Sequence, residues 1–412
     1  MRVYIYGRGL GFKYVKRCLL EQVEIIAYID NYAQDKVSGD GISIIKKDEL
    51  LQDFDFIIIT LMKYEVVRSD LLKQGIGRQR IISFFDREDA EKDIFYSVLD
   101  SHRWKSELMW KYQQEVEIPR ADNAYYEANA KELEERYELP TIIDVDKTID
   151  ILIGEEKSLT RFGDGEFEMM FGRNRPRFQV LDKKLGNRLC EALQKSLPNL
   201  MIAIADNYGD LSKYTDEAAD AIRQYMSPEV RKNHMSLLDM HRCYYDAYLS
   251  RPYYIYRDKS FGVIKRKFDH IKEIWSGKDV LIVEGEHTRF GVSNDLMDGA
   301  TSVVRLLVPD KNAFSKYDAI IEATKKYGYK RLIICVIGPT ATILVFDLAK
   351  TGYRAIDIGQ LDTEYEWFLR EAKDKCDVSY KTVSEFIDKE VYEDISEPYK
   401  SIYEEQIVEI IK

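Results

Sequence analysis

The chain has 412 residues, of which 45% are hydrophobic and 32% are charged, a balance typical of folded proteins that excludes disorder over most of the length. At about 100–200 residues per domain, this length predicts two or three domains. The 61 lysines and arginines stand against 72 aspartates and glutamates, a formal charge of −11. This acidity argues against nucleic acid or an anionic membrane surface as a partner, because both need a dominant basic face.

The sequence carries no sign of membrane insertion or export. No apolar run approaches the roughly 18 residues that a membrane-spanning helix needs. The amino terminus opens on the strand-like run Val3–Tyr6 rather than on a leader, so no signal peptide is expected. The five cysteines are scattered, without zinc-site spacing. These features predict a cytoplasmic protein with reduced thiols and no integral membrane segment.

Residues 1–90 alternate short apolar runs with helical stretches. A helix is predicted over Lys13–Glu21. The runs that predict strands are Val3–Tyr6, Glu24–Ile29, Phe56–Leu61 and Arg80–Phe85. Alternation of this kind predicts a small parallel sheet with right-handed crossovers, a Rossmann-like domain.

A glycine turn follows the first of these strands. Gly7, Gly9 and Gly11 would let backbone N–H groups approach a pyrophosphate, and Asp30 ends the second strand, where a ribose-binding acid is expected. The third glycine of the usual pattern would fall at position 12, which is Phe12. Two interpretations stay open, an NAD-binding turn and an accessory domain that binds no dinucleotide, and the second is favoured.

Residues 91–138 are charged, aromatic and almost free of glycine, and they predict a helical connector between domains at 1–90 and 139–412. In the second domain, helices are predicted over Asn312–Tyr327, Thr340–Lys350 and, at the end, Ile395–Ile411. The strand candidates are Ser158–Phe162, Met201–Ala205, Val280–Glu284, Val303–Val308, Leu332–Ile337 and Ala355–Ile358. The fold class is therefore α/β with two Rossmann-like domains.

Two carboxylates follow the strand Ser158–Phe162. Asp164 and Glu166 flank Gly165 in a loop that also holds Gly163, and side chains two residues apart in extended backbone point to the same side. Such oxygen ligands suit Mg²⁺ or Mn²⁺, with phosphate oxygens and waters completing the shell. Most acidic pairs are solvated surface, but this pair stands at a strand's carboxyl end, where open α/β sheets bind ligands.

Three further strands end in polar loops punctuated by glycine. The first loop holds Glu286, His287 and Arg289; the arginine could grip a diphosphate, whereas a structural or exposed role is favoured for the histidine. Gly338–Thr342 starts a helix whose free N–H groups could receive a phosphate, and a plain turn explains it equally well. Asp357–Phe368 carries acids that could act as general bases or cap a helix. The convergence of these loops predicts one ligand site.

These motifs resemble the GT-D-type glycosyltransferases. The resemblance rests on Arg161–Glu166, Val283–Leu296, Gly338–Thr342 and Gly359–Phe368, in that order. It implies a C-terminal Rossmann-like catalytic domain of the GT-D type and a hexosyltransferase activity in the glycosylation of streptococcal serine-rich-repeat adhesins and surface glycans. Residues 1–90 lie outside it and look like a small Rossmann domain often fused to polysaccharide-biosynthesis enzymes.

The resemblance also implies site residues. The donor would be a UDP-sugar, the acceptor a glycan or glycoprotein, and Asp164 and Glu166 would hold Mn²⁺ or Mg²⁺. Glu366 is implied as a catalytic acid, with Glu286 and Asp362 as further candidates. Residues expected to bind the donor are Arg161, Gly163, Arg289, Asn294, Asp295, Thr340 and Gln360. Family members often carry histidine where this chain has Gln360, and glutamine cannot titrate.

Three hypotheses about function follow. The first is a metal-dependent glycosyltransferase in which the metal neutralises the leaving diphosphate and Glu366 activates the acceptor hydroxyl. The second is an NAD-dependent sugar-nucleotide oxidoreductase that uses the N-terminal glycine turn. The third is a scaffold that binds sugar nucleotides without turnover, and an oligomer is compatible with each. The first hypothesis is favoured, and the intact acids Asp164, Glu166 and Glu366 argue against the third, because a decayed site usually loses its acids.

Overall fold

Two parallel β-sheets organise the chain, one in the unit Met1–Ala121 and one in the unit Asp122–Lys412. The computed structural model describes residues 1–412 except 9, 32, 34, 52, 62–63, 91, 113–117, 137–138, 174–177, 374 and 385–390. The predicted α/β class with two parallel sheets is confirmed. The division between the units falls inside the segment 91–138, and the three-part domain division stays a prediction.

The first sheet is built from short runs of β-branched and aromatic residues. Its strands are Arg2–Tyr6 (β1), Glu24–Ile29 (β2), Ile44–Ile45 (β3), Phe56–Ile59 (β4) and Ile81–Ser83 (β5). They pair in parallel in the order β3-β2-β1-β4-β5. Because side chains of a parallel sheet pack on both faces, these strands are apolar throughout rather than alternating. The two-residue β3 is too short to leave a pattern and was not predicted.

The helices of this part of the chain are Leu10–Cys18 (α1), Tyr64–Lys73 (α2), Arg87–Ala90 (α3), Asp93–Val98 (α4), Ser101–Tyr112 (α5) and Ile118–Glu135 (α6).

The glycine turn between β1 and α1 differs from the predicted fingerprint. Gly7 has a positive φ of 95°, and a Cβ there would lie 2.8 Å from Leu61 Cδ2, so glycine is required. Gly11 lies inside α1, and Gly9 lies outside the described residues.

The second sheet is the larger one. Its strands are Thr141–Ile143 (β6), Ser158–Phe162 (β7), Leu200–Ile204 (β8), Cys243–Asp246 (β9), Asp279–Gly285 (β10), Ser302–Val308 (β11), Leu332–Val336 (β12), Ala355–Asp357 (β13) and Ile407–Ile410 (β14). The order among the described residues is β14-β11-β10-β12-β13-β7-β8-β9-β6, and each neighbouring pair is parallel. All carboxyl ends therefore lie at one edge, where ligands bind in such sheets.

Helices alternate with these strands. They are Val145–Gly154 (α7), Asp164–Met170 (α8), Lys183–Gln194 (α9), Asp216–Tyr225 (α10), Pro228–Leu237 (α11), Phe261–Lys272 (α12), Tyr317–Tyr327 (α13), Pro339–Lys350 (α14), Leu361–Leu369 (α15) and Tyr399–Gln406 (α16). Side-chain oxygens of Asp144, Asp182, Thr215 and Ser227 accept backbone N–H groups and fix four of the helix starts. Among the described residues, no helix combines the length and the apolarity that crossing a bilayer needs.

The predicted C-terminal helix Ile395–Ile411 is too long at both ends, because α16 begins only at Tyr399. The helix α16 ends at Gln406, and Ile407–Ile410 forms the edge strand β14 in parallel pairing with β11. The strand contains isoleucine and valine, which fit a pleated surface, and pairing supplies backbone hydrogen bonds that the periodicity of an isolated segment cannot reveal. Tertiary context therefore decides this segment.

Candidate functional site

A cavity of about 540 Å³ opens at the carboxyl edge of the second sheet. Residues within or just beyond the ends of β7, β8, β9, β10, β11, β12 and β13 all contribute to its wall. The helices α8, α10 and α15 supply further side chains. The predicted convergence of polar loops is therefore found in the structure, at the edge where open parallel sheets bind ligands.

Arg161 connects two loops of this cavity. Its Nε donates to the carbonyl of Asp357 at 2.9 Å, its Nη2 donates to Asp357 Oδ1 at 2.8 Å, and its Nη1 donates to Ser250 Oγ at 2.7 Å. Burial raises the pKa of Asp357. Gly359 has a φ of 49°, and a Cβ there would lie 2.0 Å from Arg161 Nη2. The guanidinium is therefore a fixed part of the cavity wall.

The predicted metal carboxylates lie in the first turn of α8 and not in the expected extended loop, so the argument that residues two apart point to the same side does not apply to them. Both carboxylates nevertheless line the cavity. Asp164 is exposed, whereas Glu166 Oε2 accepts the N–H of Gly163 at 2.8 Å and caps the helix. Burial raises the pKa of Glu166 to about 7. Two carboxylates at an open edge fit a hard divalent cation that takes its other ligands from a diphosphate and water. The described residues contain no cluster of three or more histidine, cysteine or acidic side chains that could hold a metal.

A buried histidine lies behind this helix. His234 stacks on Phe167 with a centroid distance of 3.8 Å, and its Nε2 and Nδ1 lie 3.0 Å and 3.3 Å from the hydroxyls of Tyr225 and Tyr208. Burial lowers the pKa of His234 to about 4, so the ring is neutral at pH 7. Tyr225 lines the cavity and links the histidine to it. Sequence reasoning missed this group, because a single histidine forms no pattern.

Two acids one turn apart on α15 share a buried cation. Lys381 Nζ lies 2.7 Å from Asp362 Oδ2 and 2.9 Å from Glu366 Oε1, and Asn294 Nδ2 donates to both carboxylates at 2.9 Å and 2.8 Å. All three charged side chains are buried. Lys381 was not predicted, because it lies after the recognised motifs.

The two acids differ in environment. Asp362 lines the cavity, and burial raises its pKa. Glu366 is not among the lining residues and also accepts hydrogen bonds from Tyr380 Oη at 3.1 Å and Arg370 Nη2 at 3.1 Å. Burial acts to raise the pKa of Glu366, but the charge of Lys381 and the hydrogen bonds outweigh it, and the pKa is lowered. Asp362 therefore faces the cavity, whereas Glu366 lies behind it in contact with Lys381 and Arg370.

Two other acidic residues of the recognised motifs accept hydrogen bonds from backbone N–H groups. Glu284, fully buried, pairs with Arg305 and accepts the N–H of Phe290 at 2.7 Å. Glu364 Oε2 accepts the N–H groups of Tyr253 and Tyr254 at 3.0 Å and 2.7 Å. Their carboxylates fix the loops that follow β10 and β9. They therefore shape the cavity without facing it.

Besides Glu366 and Asn294, four of the predicted catalytic and donor-binding residues do not line this cavity. Glu286 is exposed beyond β10. Arg289 Nη1 donates to the carbonyls of Tyr380 and Glu393 at 2.7 Å and 2.9 Å, which makes it a clamp on the C-terminal segment. Asp295 pairs with Lys272 at 2.8 Å, and Thr340 is buried within α14.

The structure does bring together the remaining predicted residues. Those lining the cavity are Arg161, Gly163, Asp164, Glu166, Gln360 and Asp362, and Asn294 reaches it through its bond to Asp362. The buried Oε1 of Gln360 has no hydrogen-bond partner within the described part of the chain. Such an unsatisfied acceptor in a cavity wall is available to a ligand donor. Unpredicted lining residues include Tyr248, Arg251 and Lys375.

Comparison with known proteins agrees with this geometry. Residues 159–386 match the family described as Glycosyltransferase GT-D fold, and residues 1–82 match the family C2185-like, N-terminal. The chain is 38% identical over 283 residues to Probable glycosyl transferase Gly of Streptococcus gordonii, covering 66% of this chain and 40% of that protein. It is 35% identical over 275 residues to Glycosyltransferase GlyD of Streptococcus pneumoniae, covering 63% and 32%. The chain thus spans less than half the length of these relatives.

Solved structures give the same result. The domain of unknown function 1792, described as having a distinct glycosyltransferase fold, superposes with a TM-score of 0.63 at 36% identity, covering 67% of this chain and 98% of that one. A structure described as a new glycosyltransferase (DUF1792) from Streptococcus sanguinis gives a TM-score of 0.62 at 34% identity, covering 66% and 100%. With its family match spanning more than half of its residues, this chain belongs to the GT-D-fold glycosyltransferases.

Proposed function

We propose that the protein transfers a sugar from a UDP-sugar to a hydroxyl group of a glycan or glycoprotein. One observation carries this proposal: a single cavity holds the carboxylate pair Asp164 and Glu166, apolar and aromatic side chains beside α10, and polar side chains from the loops after β10 and β11. A nucleotide diphosphate sugar has the same three parts, an aromatic base, a charged diphosphate and a polyhydroxyl ring. Membership of the GT-D family and the names of the relatives support the reaction class.

The distribution of lining side chains supports one orientation of the donor. The half beside α10 is lined by Ala221, Ile222, Tyr225 and the ring of Tyr248, a surface for the base and ribose. The other half is polar and is lined by Thr288, Asp310, Gln360, Asp362 and Thr382. The ends of β7 and β10 are three strand spacings apart, about 14 Å at ~4.8 Å each, a span suited to an extended donor. The sugar would therefore lie towards β10.

The carboxylate pair stands between these halves. Asp164 and Glu166 would hold Mg²⁺ or Mn²⁺, and such an ion, when bound, would neutralise charge on the leaving diphosphate. Binding of a cation would also favour the ionised form of Glu166. Arg251 and Lys375 line the same cavity and add positive charge for the diphosphate. Arg161, fixed by Asp357, keeps the two loops around the donor in register.

The acids of α15 take different parts in this scheme. Asp362 faces the polar half and is placed to accept a hydroxyl of the donor sugar. Glu366 holds Lys381, which in turn holds Asp362, so we assign it as a positioning residue. Glu366→Gln should lower the melting temperature and raise KM for the donor more than it lowers kcat. A 100- to 10,000-fold fall in kcat alone, the range of a lost general base, would favour direct proton transfer instead.

A donor screen tests the proposal directly. The protein is incubated with UDP-, GDP- and CMP-sugars in MnCl₂, and free nucleotide is measured by mass spectrometry. We expect release of UDP from one class of sugar and its loss in excess EDTA. Asp146→Asn, in an exposed acid of α7 outside the cavity, is the matched control for charge and should leave release unchanged. The absence of release from every donor would contradict the transferase, and full release in EDTA would contradict the metal.

A further inference from the structure

A second cavity of about 590 Å³ meets the donor cavity at one residue, because Asp310 lines both. Its other lining residues include His287, Lys311, Tyr392, Glu393 and Asp394. These side chains offer one aromatic ring among several hydrogen-bonding and charged groups. Surfaces of this composition suit a polyhydroxyl ligand, whose ring packs on an aromatic face while its hydroxyls bond to polar groups.

A histidine–aspartate pair stands where the two cavities meet. His287 Nδ1 lies 2.6 Å from Asp310 Oδ2, and the backbone N–H of His287 donates to Asp310 Oδ1 at 2.9 Å. A Cβ on Gly285 would lie 2.6 Å from Asp310 Oδ1, so the glycine makes room for this carboxylate. Because an ionised carboxylate only accepts hydrogen bonds, Nδ1 is the donor of this pair, and in the neutral ring Nε2 is then the acceptor.

The ring of His287 is held in one plane. It stacks on Tyr392 with a centroid distance of 4.2 Å and an interplanar angle of 15°, and a third of its side chain stays exposed. The backbone bond to Asp310 already connects the loops after β10 and β11, so the imidazole is not needed for that connection. An oriented, partly exposed imidazole whose Nδ1 is held by a carboxylate is the arrangement of a general base.

We infer that the second cavity admits the acceptor and that His287 takes the proton of its attacking hydroxyl. This inference rests on the proposed function, which places the donor sugar in the polar half beside Asp310. The acceptor oxygen forms a bond to C1 of the sugar, while the bond from C1 to the diphosphate oxygen breaks and its electron pair leaves with the diphosphate. The hydroxyl proton moves to His287 Nε2, and Asp310 balances the imidazolium charge.

Two small nucleophiles distinguish this role from a structural one. Water must lose a proton when it attacks C1, whereas azide attacks without one and needs no base. The probe reactions are therefore hydrolysis of the UDP-sugar identified by the donor screen and its conversion to a glycosyl azide in sodium azide. In His287→Gln we expect hydrolysis to fall about 100-fold or more, the usual effect of a lost base, while azide transfer and UDP affinity stay within about threefold.

Two further variants complete the test. His270→Gln is the matched control, because His270 forms a similar pair with Asp150 at 3.0 Å and lines neither cavity, and both reactions should stay at wild-type rates. His287→Asn keeps a donor towards Asp310 without the Nε2 acceptor, and it should reproduce the glutamine variant with an unchanged melting temperature.

Each remaining outcome counts against the inference. Wild-type hydrolysis in His287→Gln, with UDP release by the unsubstituted chain intact, would overturn it and leave the proposed function standing. Equal losses of hydrolysis, azide transfer and UDP affinity would assign His287 to the structure instead. No nucleotide release by the unsubstituted chain would contradict the proposed function first and this inference with it.

Discussion

The two sheets of this protein share a parallel architecture but differ at their carboxyl edges. In the first sheet, the polar groups described at that edge serve the fold: Thr60 Oγ1 donates to the carbonyl of Gly7 at 2.8 Å, and Asn31 donates to Tyr6 Oη at 3.1 Å. In the second sheet, the strand ends surround a cavity lined by Asp164, Asp362 and other charged side chains. The sheet supplies only the edge, and the loops determine whether that edge can do chemistry.

The buried charged side chains of the two units also differ in where they lie and what they bind. In the first unit, buried Asp89 accepts the N–H of Ser83 at 2.8 Å and pairs with Arg78 and Lys92, which fixes a turn. In the second unit, Lys381 lies between two buried acids beside the cavity. Buried charges stabilise little by themselves, so this costly arrangement indicates a functional role in the second unit.

Removing the cation between those acids should have the largest effect on stability. Lys381→Met leaves Asp362 and Glu366 buried without the charge between them, and we expect the free energy of unfolding to fall by about 3–5 kcal/mol. Urea denaturation measures it. Lys375→Met, at an exposed lysine of the same cavity, should change it by less than about 0.5 kcal/mol. Equal effects of the two substitutions would contradict the structural role assigned to Lys381.

Removing an acid at the carboxyl edge of each sheet should affect activity only in the second unit. Asp164→Asn should lower UDP release about 100-fold or more, the upper range for a perturbed metal site. Asp30→Asn, at the equivalent edge of the first sheet, should stay within about twofold. Initial rates of UDP release at saturating MnCl₂ measure both. A large loss in Asp30→Asn would show that the first unit takes part in turnover.

Acid should destabilise the second unit through His234. Its pKa is about 4 in the folded chain and ordinarily about 6.5, so the unfolded chain binds the proton first as pH falls. The contribution of neutral His234 to the free energy of unfolding is therefore fully present above about pH 6.5, and it is lost as the pH falls to about 4. The stability difference between wild type and His234→Gln should therefore shrink by about 1–3 kcal/mol between pH 7 and pH 4. His102→Gln, at an exposed histidine of the first unit, is the control substitution for this measurement.

The first unit should show little affinity for NAD⁺. Phe12 occupies the position of the third glycine, and its ring packs edge-on against Tyr28 with a centroid distance of 4.7 Å. We therefore expect a calorimetric Kd weaker than about 10 μM, equivalent to about −7 kcal/mol. Tighter binding would revive the oxidoreductase hypothesis and remove the functional contrast between the two sheets.

The sequence predicted those strands and helices whose hydrophobic pattern lies within the element itself. Runs such as Glu24–Ile29 and Leu332–Val336 are apolar because both faces of a parallel strand are covered. The strands Cys243–Asp246 and Ile407–Ile410 were missed, since the first is polar and aromatic and the second is stabilised by pairing with a strand a hundred residues earlier. Local pattern carries no information about such pairing.

The candidate site was predictable where a motif follows a strand. Gly163, Asp164 and Glu166 line the cavity as their position after β7 suggested. Sequence alone cannot tell a side chain that lines a cavity from one that is exposed or binds backbone, so Glu286 and Arg289 were expected at a site that they do not line. Lys381 and His234 have no local signature, because their partners are distant in sequence.

The contact between Gly359 and Arg161 limits how donor choice can be altered. Any side chain at 359 would push the guanidinium off Asp357 and would also be strained by the positive φ. The next residue, Gln360, lines the cavity with a carbonyl oxygen that bonds to none of the residues the structure describes. A library that varies position 360 and keeps glycine at 359 would therefore sample new donors on an unchanged scaffold, whereas one that varies both would consist largely of misassembled loops.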